Sequence, residues 1–538
     1  MKKVKGNIID PLNRNIYPGE ILIQNGRIKK IERMKSVPDH YILPGFVDSH
    51  IHIESSMLVP SRFAKLAVKH GTVATVSDPH EIANVCGLEG VEYMISDGNR
   101  VPLKFYFGAP SCVPATQFET AGDILSVKDI ELLLDRDNIH YLAEMMNWPG
   151  VLDRDPEVMA KIKAALDRGK PVDGHAPGLK GEKAARYASA GISTDHECFT
   201  RKEAVDKLNE GMLIAIREGS AAKNFDALID LLADYPGRIM FCSDDKHPDD
   251  LLRSHINELV SRTLKRGHKL FDTLHAACVL PVQHYNLSVG LLGEGDPADF
   301  IVVDHPSAMN VQQTWIDGKM VFGSGKVLFD VDPPEPINKF SSRLMNPDDF
   351  RFISGKTIQS VIVANDGELI TGREELELPS VNGELIADPE NDVLKIAVVN
   401  RYRREPPAVG FIKYFGIKNG AIASSVAHDS HNIIAVGSSD EAIAQAINLI
   451  MQNNGGISAV HGAKKDVLPL PVAGIMSTDA GETVALDYER LTHMSREMGS
   501  ELNAPFMLIS FMALLVIPSL KMSDKGLFDG EKFEFVEQ

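Results

Sequence analysis

Between Pro44 and Leu280 the chain passes eight times from a short apolar run to a helix-periodic stretch, and this alternation most limits the folds open to it. The strand candidates are Phe46–His52, Thr72–Asp78, Lys104–Gly108, Tyr141–Met145, Pro171–His175, Ile192–His196, Leu213–Arg217 and Ile239–Asp244. Amphipathic segments lie between them, among them Pro60–His70, Gly87–Ile95, Val127–Leu134, Pro156–Leu166 and Lys202–Leu208. Eight strands, each followed by a helix, is the count of a closed α/β barrel of the (β/α)8 type. A doubly wound open sheet is the competing architecture. It is disfavoured because no glycine-rich phosphate turn follows the first strand.

The flanks read differently. Glu20-Ile21-Leu22-Ile23 alternates, Asn25-Gly26 is a hairpin turn, and Arg27-Ile28 begins the return strand. Far downstream, Gly295–Asp299 leads into the run Phe300–Asp304, and Asp317-Gly318 is a second hairpin turn. Neither hairpin buries enough surface alone, so residues 1–43 and 290–333 are expected to form one small split β domain around a barrel spanning 44–289. Residues 334–538 form a C-terminal α+β domain in this reading. Its strand candidates are Ile396–Asn400, Phe411–Ile417, Ile433–Gly437 and Val484–Leu486, and its helix candidate is Asp440–Gln452.

At 538 residues the chain is too long for one ordinary core, and 44% hydrophobic with 24% charged residues is a soluble, globular balance. A net charge of −18 argues against nucleic acid or an anionic membrane as partner, since both select basic surfaces. The lysines of the N-terminus are not followed by the apolar stretch of a secretory signal. The apolar run Phe506–Ile517 is too short to span a bilayer and reads as a buried strand or core segment. Five scattered cysteines without CxxC spacing fit a reducing cytoplasm.

The chemistry is concentrated at strand ends. His50 and His52 end the first barrel strand, and side chains two apart on a strand share a face. An isolated HxH pair carries little weight, but Glu144, His175, His196 and Asp244 each fall at the C-terminal end of a later strand, where barrels build active sites. Four imidazoles and two carboxylates there suit divalent transition metals, one or a pair about 3.5–4 Å apart. Mixed nitrogen and oxygen ligands are compatible with manganese, iron or zinc. Neither a GxSxG nucleophile elbow nor an exposed catalytic cysteine competes, since Cys198 and Cys242 sit in apolar strand contexts.

This order of ligands, with a split β domain, resembles the metal-dependent hydrolases of the amidohydrolase superfamily. Glu144 stands where many members carry a carbamylated lysine, which disfavours the dihydroorotase and hydantoinase branches. HIHIESSM (50–57), SDPHEIANVCG (77–87), FGAPSCVPAT (107–116), AEMMNWPGV (143–151), DGHAPGL (173–179), IREGS (216–220) and AHDSHNI (427–433) are similar to the adenine deaminase family over nearly the whole chain. The resemblance implies His50, His52 and Asp244 on one metal, His175 and His196 on a second, and Glu144 bridging. It implies Mn2+ or Fe2+, with Zn2+ as a further option, and Asp244 and Glu144 as catalytic residues. The implied reaction is hydrolysis of adenine by water to hypoxanthine and ammonia, in a cytoplasmic homo-oligomer, a dimer. The alternatives are a cyclic amide or N-acyl hydrolase on the same barrel, and a non-catalytic scaffold.

Several residues keep two readings. Asp78, His80 and Glu81 follow the second strand and either contact substrate or cap a helix. Arg217 and Glu218 end the seventh strand as purine contacts or as an ion pair on the rim. His428, Asp429 and His431 reach over the barrel mouth, bind a further metal or form a surface turn. Trp148 stacks on a purine or simply packs, and Asp195 points away from the site as a structural residue.

Overall fold

Asn25 and Gly26 both adopt positive φ, 52° and 79°, as a two-residue hairpin turn of the I′ type requires. They join β2 (Asn15–Gln24) to β3 (Arg27–Arg33), and β1 (Lys2–Asp10) pairs antiparallel with β2, from Lys2 opposite Ile23 to Asp10 opposite Asn15. β4 (Tyr41–Pro44) runs parallel to β1 and delivers the chain to the barrel. The structure, a computed structural model, describes residues 1–538 apart from Ala221, Ser342 and Gln538.

Eight parallel strands follow: β5 (Phe46–Ile51), β6 (Thr72–Ser77), β7 (Lys104–Ala109), β8 (Ile139–Met145), β9 (Val172–Gly174), β10 (Thr194–Asp195), β11 (Leu213–Arg217) and β12 (Ile239–Cys242). β5 to β9 form one ladder and β10 to β12 another. Two seams close the ring. The Ser193 amide donates to the Val172 carbonyl between β9 and β10, and Ile51 bridges in parallel to Asp244 between β12 and β5. The strands are buried on both sides, the rule for parallel strands covered by helices. This is the closed (β/α)8 barrel expected from the alternation.

β9 and β10 are shorter than the sequence suggests, and β12 stops at Cys242. His52, Asp78, His175, His196 and Asp244 therefore lie just beyond their strands. There the ladder has ended and the chain is turning out of the barrel. Asp244 takes a φ of 53°, an uncommon conformation for a residue with a side chain and a frequent one at functional sites.

After the barrel, β13 (Phe300–Val303) pairs antiparallel with β4, placing Phe300 opposite Pro44. β14 (Val311–Ile316), β15 (Lys319–Gly323) and β16 (Lys326–Val327) complete an eight-stranded sheet in the order β16-β15-β14-β13-β4-β1-β2-β3. The two distant pieces of chain share one sheet, and its core includes Ile8, Ile21, Ile42 and Phe300.

The trailing region centres on a second eight-stranded sheet, including 393–399, 408–413, 421–424, 433–437 and 456–461. Helix Asp440–Asn453 buries Ile443, Ile447 and Ile450 against this sheet. One expectation fails here, and one resolves to the second of its two readings, a buried core segment. Val484–Leu486 is not a strand but part of helix Gly481–Glu497, in which Val484, Tyr488 and Leu491 recur at helical spacing and are buried while Leu486 is 61% exposed. Three residues, of which only Val484 favours a strand, are too few to set a period of two. The run beginning at Phe506 is likewise helical over Pro505–Phe511, and it is buried. Among the described residues no helix is long and apolar enough to cross a membrane.

One buried ion pair supports the barrel mouth directly. Lys207 Nζ lies 2.8 Å from Asp195, both side chains fully buried, and also donates to the Ala176 carbonyl at 2.7 Å. Asp195 accepts from the amides of Ala176 and Glu197 at 3.0 and 2.9 Å, so the pair ties the ends of β9 and β10 together beside His175 and His196. Replacing Lys207 by methionine is expected to destabilise the fold by about 3–5 kcal/mol, because Asp195 is left as an unpaired buried charge. Urea unfolding of metal-free protein measures it. A loss under about 1 kcal/mol, the scale of an exposed pair, would contradict that role.

Candidate metal centre

The six strand-end residues converge. His50 Nε2 and His52 Nε2 are 3.2 Å apart, and Asp244 Oδ1 lies 3.6 and 3.3 Å from them. The Asp244 amide donates to the His50 carbonyl, so the closing seam of the barrel sets this distance. Opposite, the Glu144 carboxylate stands between two groups of imidazoles. Its Oε1 is 3.4 Å from His52 Nε2, and its Oε2 is 2.7 Å from His175 Nδ1 and 3.1 Å from His196 Nε2. His50, His196 and Asp244 present donor atoms within 4.8 Å of one another, and so do Glu144, His175 and His196.

This donor set fits a pair of divalent cations. His50 Nδ1, His175 Nε2 and His196 Nε2 are buried without a hydrogen bond, as are Asp78 Oδ2 and His80 Nδ1. Buried polar atoms are rarely left so, and several in one small volume call for a ligand. The protonation balance points the same way. Burial and the neighbouring His196 and His52 push His50 well below the usual imidazole range. Burial opposes ionisation of Glu144, yet His175 and the other imidazoles outweigh it and hold its carboxyl well below the carboxylate range. For His175 burial favours the neutral ring, but Glu144 and Glu197 push it up to about 9. Four imidazoles packed around ionised carboxylates form the charge pattern of a metal site, where cations replace protons.

Asp78, His80 and Glu81 face the same space. His80 Nδ1 is 3.1 Å from Asp78 Oδ2 and 3.7 Å from Glu144 Oε1. Glu81 is clasped from the other domain: its two oxygens lie 2.5 Å from His428 Nδ1 and 2.5 Å from His431 Nε2. Asp429 Oδ1 is 3.8 Å from His80 Nε2. The segment His428–His431 is therefore no surface turn; all its residues are buried against the barrel mouth. The His428 ring stacks on Phe511 at 4.9 Å, which explains why that helix is buried.

Arg217 and Glu218 part company. Arg217 turns inward, donating from one nitrogen to Asp244 Oδ2 at 2.6 Å and from the other to Glu197 Oε2 at 2.9 Å. Its guanidinium is committed to these two carboxylates. Glu218 turns outward to Arg262 at 2.6 Å and does not join the cluster. Trp148 opens a short helix and packs on the core.

Sequence reasoning missed Glu197 and Asp245. Glu197 Oε1 lies 3.6 Å from His175 Nδ1 and 3.5 Å from His196 Nε2. Asp245, bonded to Ser55 Oγ at 2.5 Å, groups with His52 and Asp244. Strict strand alternation sends each residue after a ligand to the opposite face. Both follow a ligand at a strand end where alternation has ceased, and that boundary was the available signal.

The amidohydrolase family profile matches residues 41–321, and the adenine deaminase C-terminal domain profile matches 368–534. The chain is 55% identical to the adenine deaminase of Salinibacter ruber over 99% of its length and 98% of that protein. It is 50% identical to that of Methanosarcina mazei over 100% and 99%, and 49% identical to that of Borreliella burgdorferi over 99% of both chains. The chain belongs to the adenine deaminase family. Membership explains why the C-terminal domain reaches into the barrel: the domain distinctive of adenine deaminases supplies the residues that clasp Glu81.

Proposed function

We infer that the protein catalyses hydrolytic deamination of adenine: water adds at C6, the amino group leaves as ammonia, and hypoxanthine remains. The observation that carries this reading is Glu144, a buried carboxylate set between imidazoles from both sides of a strand-end cluster. Similarity along the whole length, C-terminal domain included, supports adenine over cyclic amides as substrate.

In this reading His50, His52 and Asp244 hold one cation, His175 and His196 the second, and Glu144 is shared; manganese or iron suits the mixed donors. Bound metal supplies Lewis acidity, making water a competent nucleophile near neutral pH. The remaining work falls to the chain. Arg217 occupies Asp244 Oδ2, so Oδ1, the oxygen that faces the cluster and would meet the cation, is also the one placed to take the proton from attacking water. Asp78 and His80, beside Glu144, are positioned to carry a proton toward the ring or the departing amino group. Glu81, with His428 and His431, closes the site against bulk water.

A cavity of about 660 Å³ lined by Ser111, Cys112, Glu119, Met145 and Asn147 adjoins the end of β8. Ser111 Oγ donates to the Glu144 main-chain carbonyl at 2.5 Å, so its wall is tied to the backbone of that residue. Five buried, unpaired cysteines accord with a cytoplasmic enzyme, and we propose that it acts as a homodimer. A substrate panel on manganese-reconstituted protein tests the assignment. Adenine is expected to release ammonia while dihydroorotate and N-acyl amino acids stay intact; turnover of either instead would overturn it.

A further inference from the structure

Glu197, like Asp245, is a carboxylate at the cluster without a role in that scheme, and its position is specific. It is 2% exposed and follows His196 at the mouth of the barrel. Oε1 faces both His175 Nδ1 and His196 Nε2, the nitrogens that also face Glu144 Oε2. Its hydrogen-bonding partner is Arg217, which grips both carboxylate oxygens and reaches across to Asp244 Oδ2.

We propose that Glu197 is a fourth protein ligand of the second metal subsite, completing a two-histidine, two-carboxylate set with His175, His196 and Glu144. The inference rests on the metal-centre reading above. Three arguments carry it. First, without Glu197 that subsite has three protein donors, one of them shared; with it the set reaches the four donors common for such cations and the mixed composition that suits manganese or iron. Second, Glu144 is shared between the subsites, so a further carboxylate at the second one offsets buried positive charge that would otherwise stand uncompensated. Third, ligating carboxylates are themselves held by outer hydrogen-bond donors. Arg217 meets that requirement for Glu197 and Asp244 together, one carboxylate from each subsite. Arg217 is thus a positioning residue that fixes the relation between the two subsites, and its fork explains why neither carboxylate swings away.

The test is metal binding to purified full-length protein, independent of any substrate. Metal-stripped wild type, Glu197→Gln and Arg217→Lys are titrated with Mn2+, reading bound equivalents and the electron paramagnetic resonance of the loaded protein. Wild type is expected to bind two equivalents and give the spectrum of an exchange-coupled pair. Glu197→Gln is expected to bind the second equivalent at least ~100-fold more weakly, beyond the ~10–100-fold typical of losing an outer-shell partner. Its spectrum should be that of isolated Mn2+. Arg217→Lys, which keeps the charge and loses the fork, should weaken the second equivalent less. A second equivalent weakened no more in Glu197→Gln than in Arg217→Lys, with the coupled spectrum intact, overturns the assignment of Glu197 alone. Failure of wild type to bind two equivalents overturns the metal-centre reading and this inference with it. Thermal unfolding of the metal-free proteins controls for folding, and equal midpoints for wild type and Glu197→Gln assign any loss to the metal.

Discussion

Glutamine at position 144 is expected to lower kcat/KM for adenine by about 10,000-fold, the upper range for removing a group that acts in the reacting centre. The substitution keeps the volume and removes the charge. Glu144 faces His52 with one oxygen and His175 and His196 with the other, so a neutral amide there leaves three imidazoles without their counter-charge. It would also present an N–H2 group toward at least one nitrogen that now faces an acceptor. The elevated pKa of His175, about 9, depends on this carboxylate and on Glu197. The glutamine variant should therefore show both weaker metal retention and lost turnover. Steady-state kinetics on protein loaded with excess Mn2+ decides it, and activity within tenfold of wild type would remove Glu144 from the mechanism.

The second large effect belongs to Asp244. Asparagine keeps its shape and its hydrogen bond to Arg217 through the amide oxygen, but has no carboxylate to accept a proton. A fall in kcat of about 1,000- to 10,000-fold is expected, with KM changed only a fewfold, because the lost interaction is one made in the transition state. Asp244 is suited to the task. Although burial favours its neutral form, Arg217 and His52 hold its carboxyl well below the usual range, so it enters the reaction ionised. The measurement is a split of kcat from KM with metal content held equal. A rise in KM at unchanged kcat would instead make Asp244 a substrate contact.

Much of this architecture was legible in the sequence because the signals were periodic and local. The eight strand-helix units, the hairpins at Asn25-Gly26 and Asp317-Gly318, and the helix from Asp440 each carry their period and punctuation on the surface of the sequence. HxH at the end of β5 works for the same reason. What escaped was set by tertiary context. Val484–Leu486 looks extended until Tyr488 and Leu491 are counted with it on one helical face. Glu197 and Asp245 were hidden by carrying strand alternation two and three residues past the strand ends. The clasp on Glu81 joins residues 347 and 350 positions apart, and neither local pattern nor propensity links such a pair. Arg217 and Glu218 are adjacent in sequence, yet Arg217 bonds to Asp244 while Glu218 pairs with Arg262, a division that adjacency alone does not reveal.

The most direct test of the central claim is the ultraviolet change from adenine to hypoxanthine, with ammonia release, on chelator-stripped protein before and after adding Mn2+. The stripped protein should be inactive and the reconstituted protein should turn over, with ammonia and hypoxanthine formed in equal amounts. Protein that takes up metal at this cluster and leaves adenine unchanged would contradict the assignment.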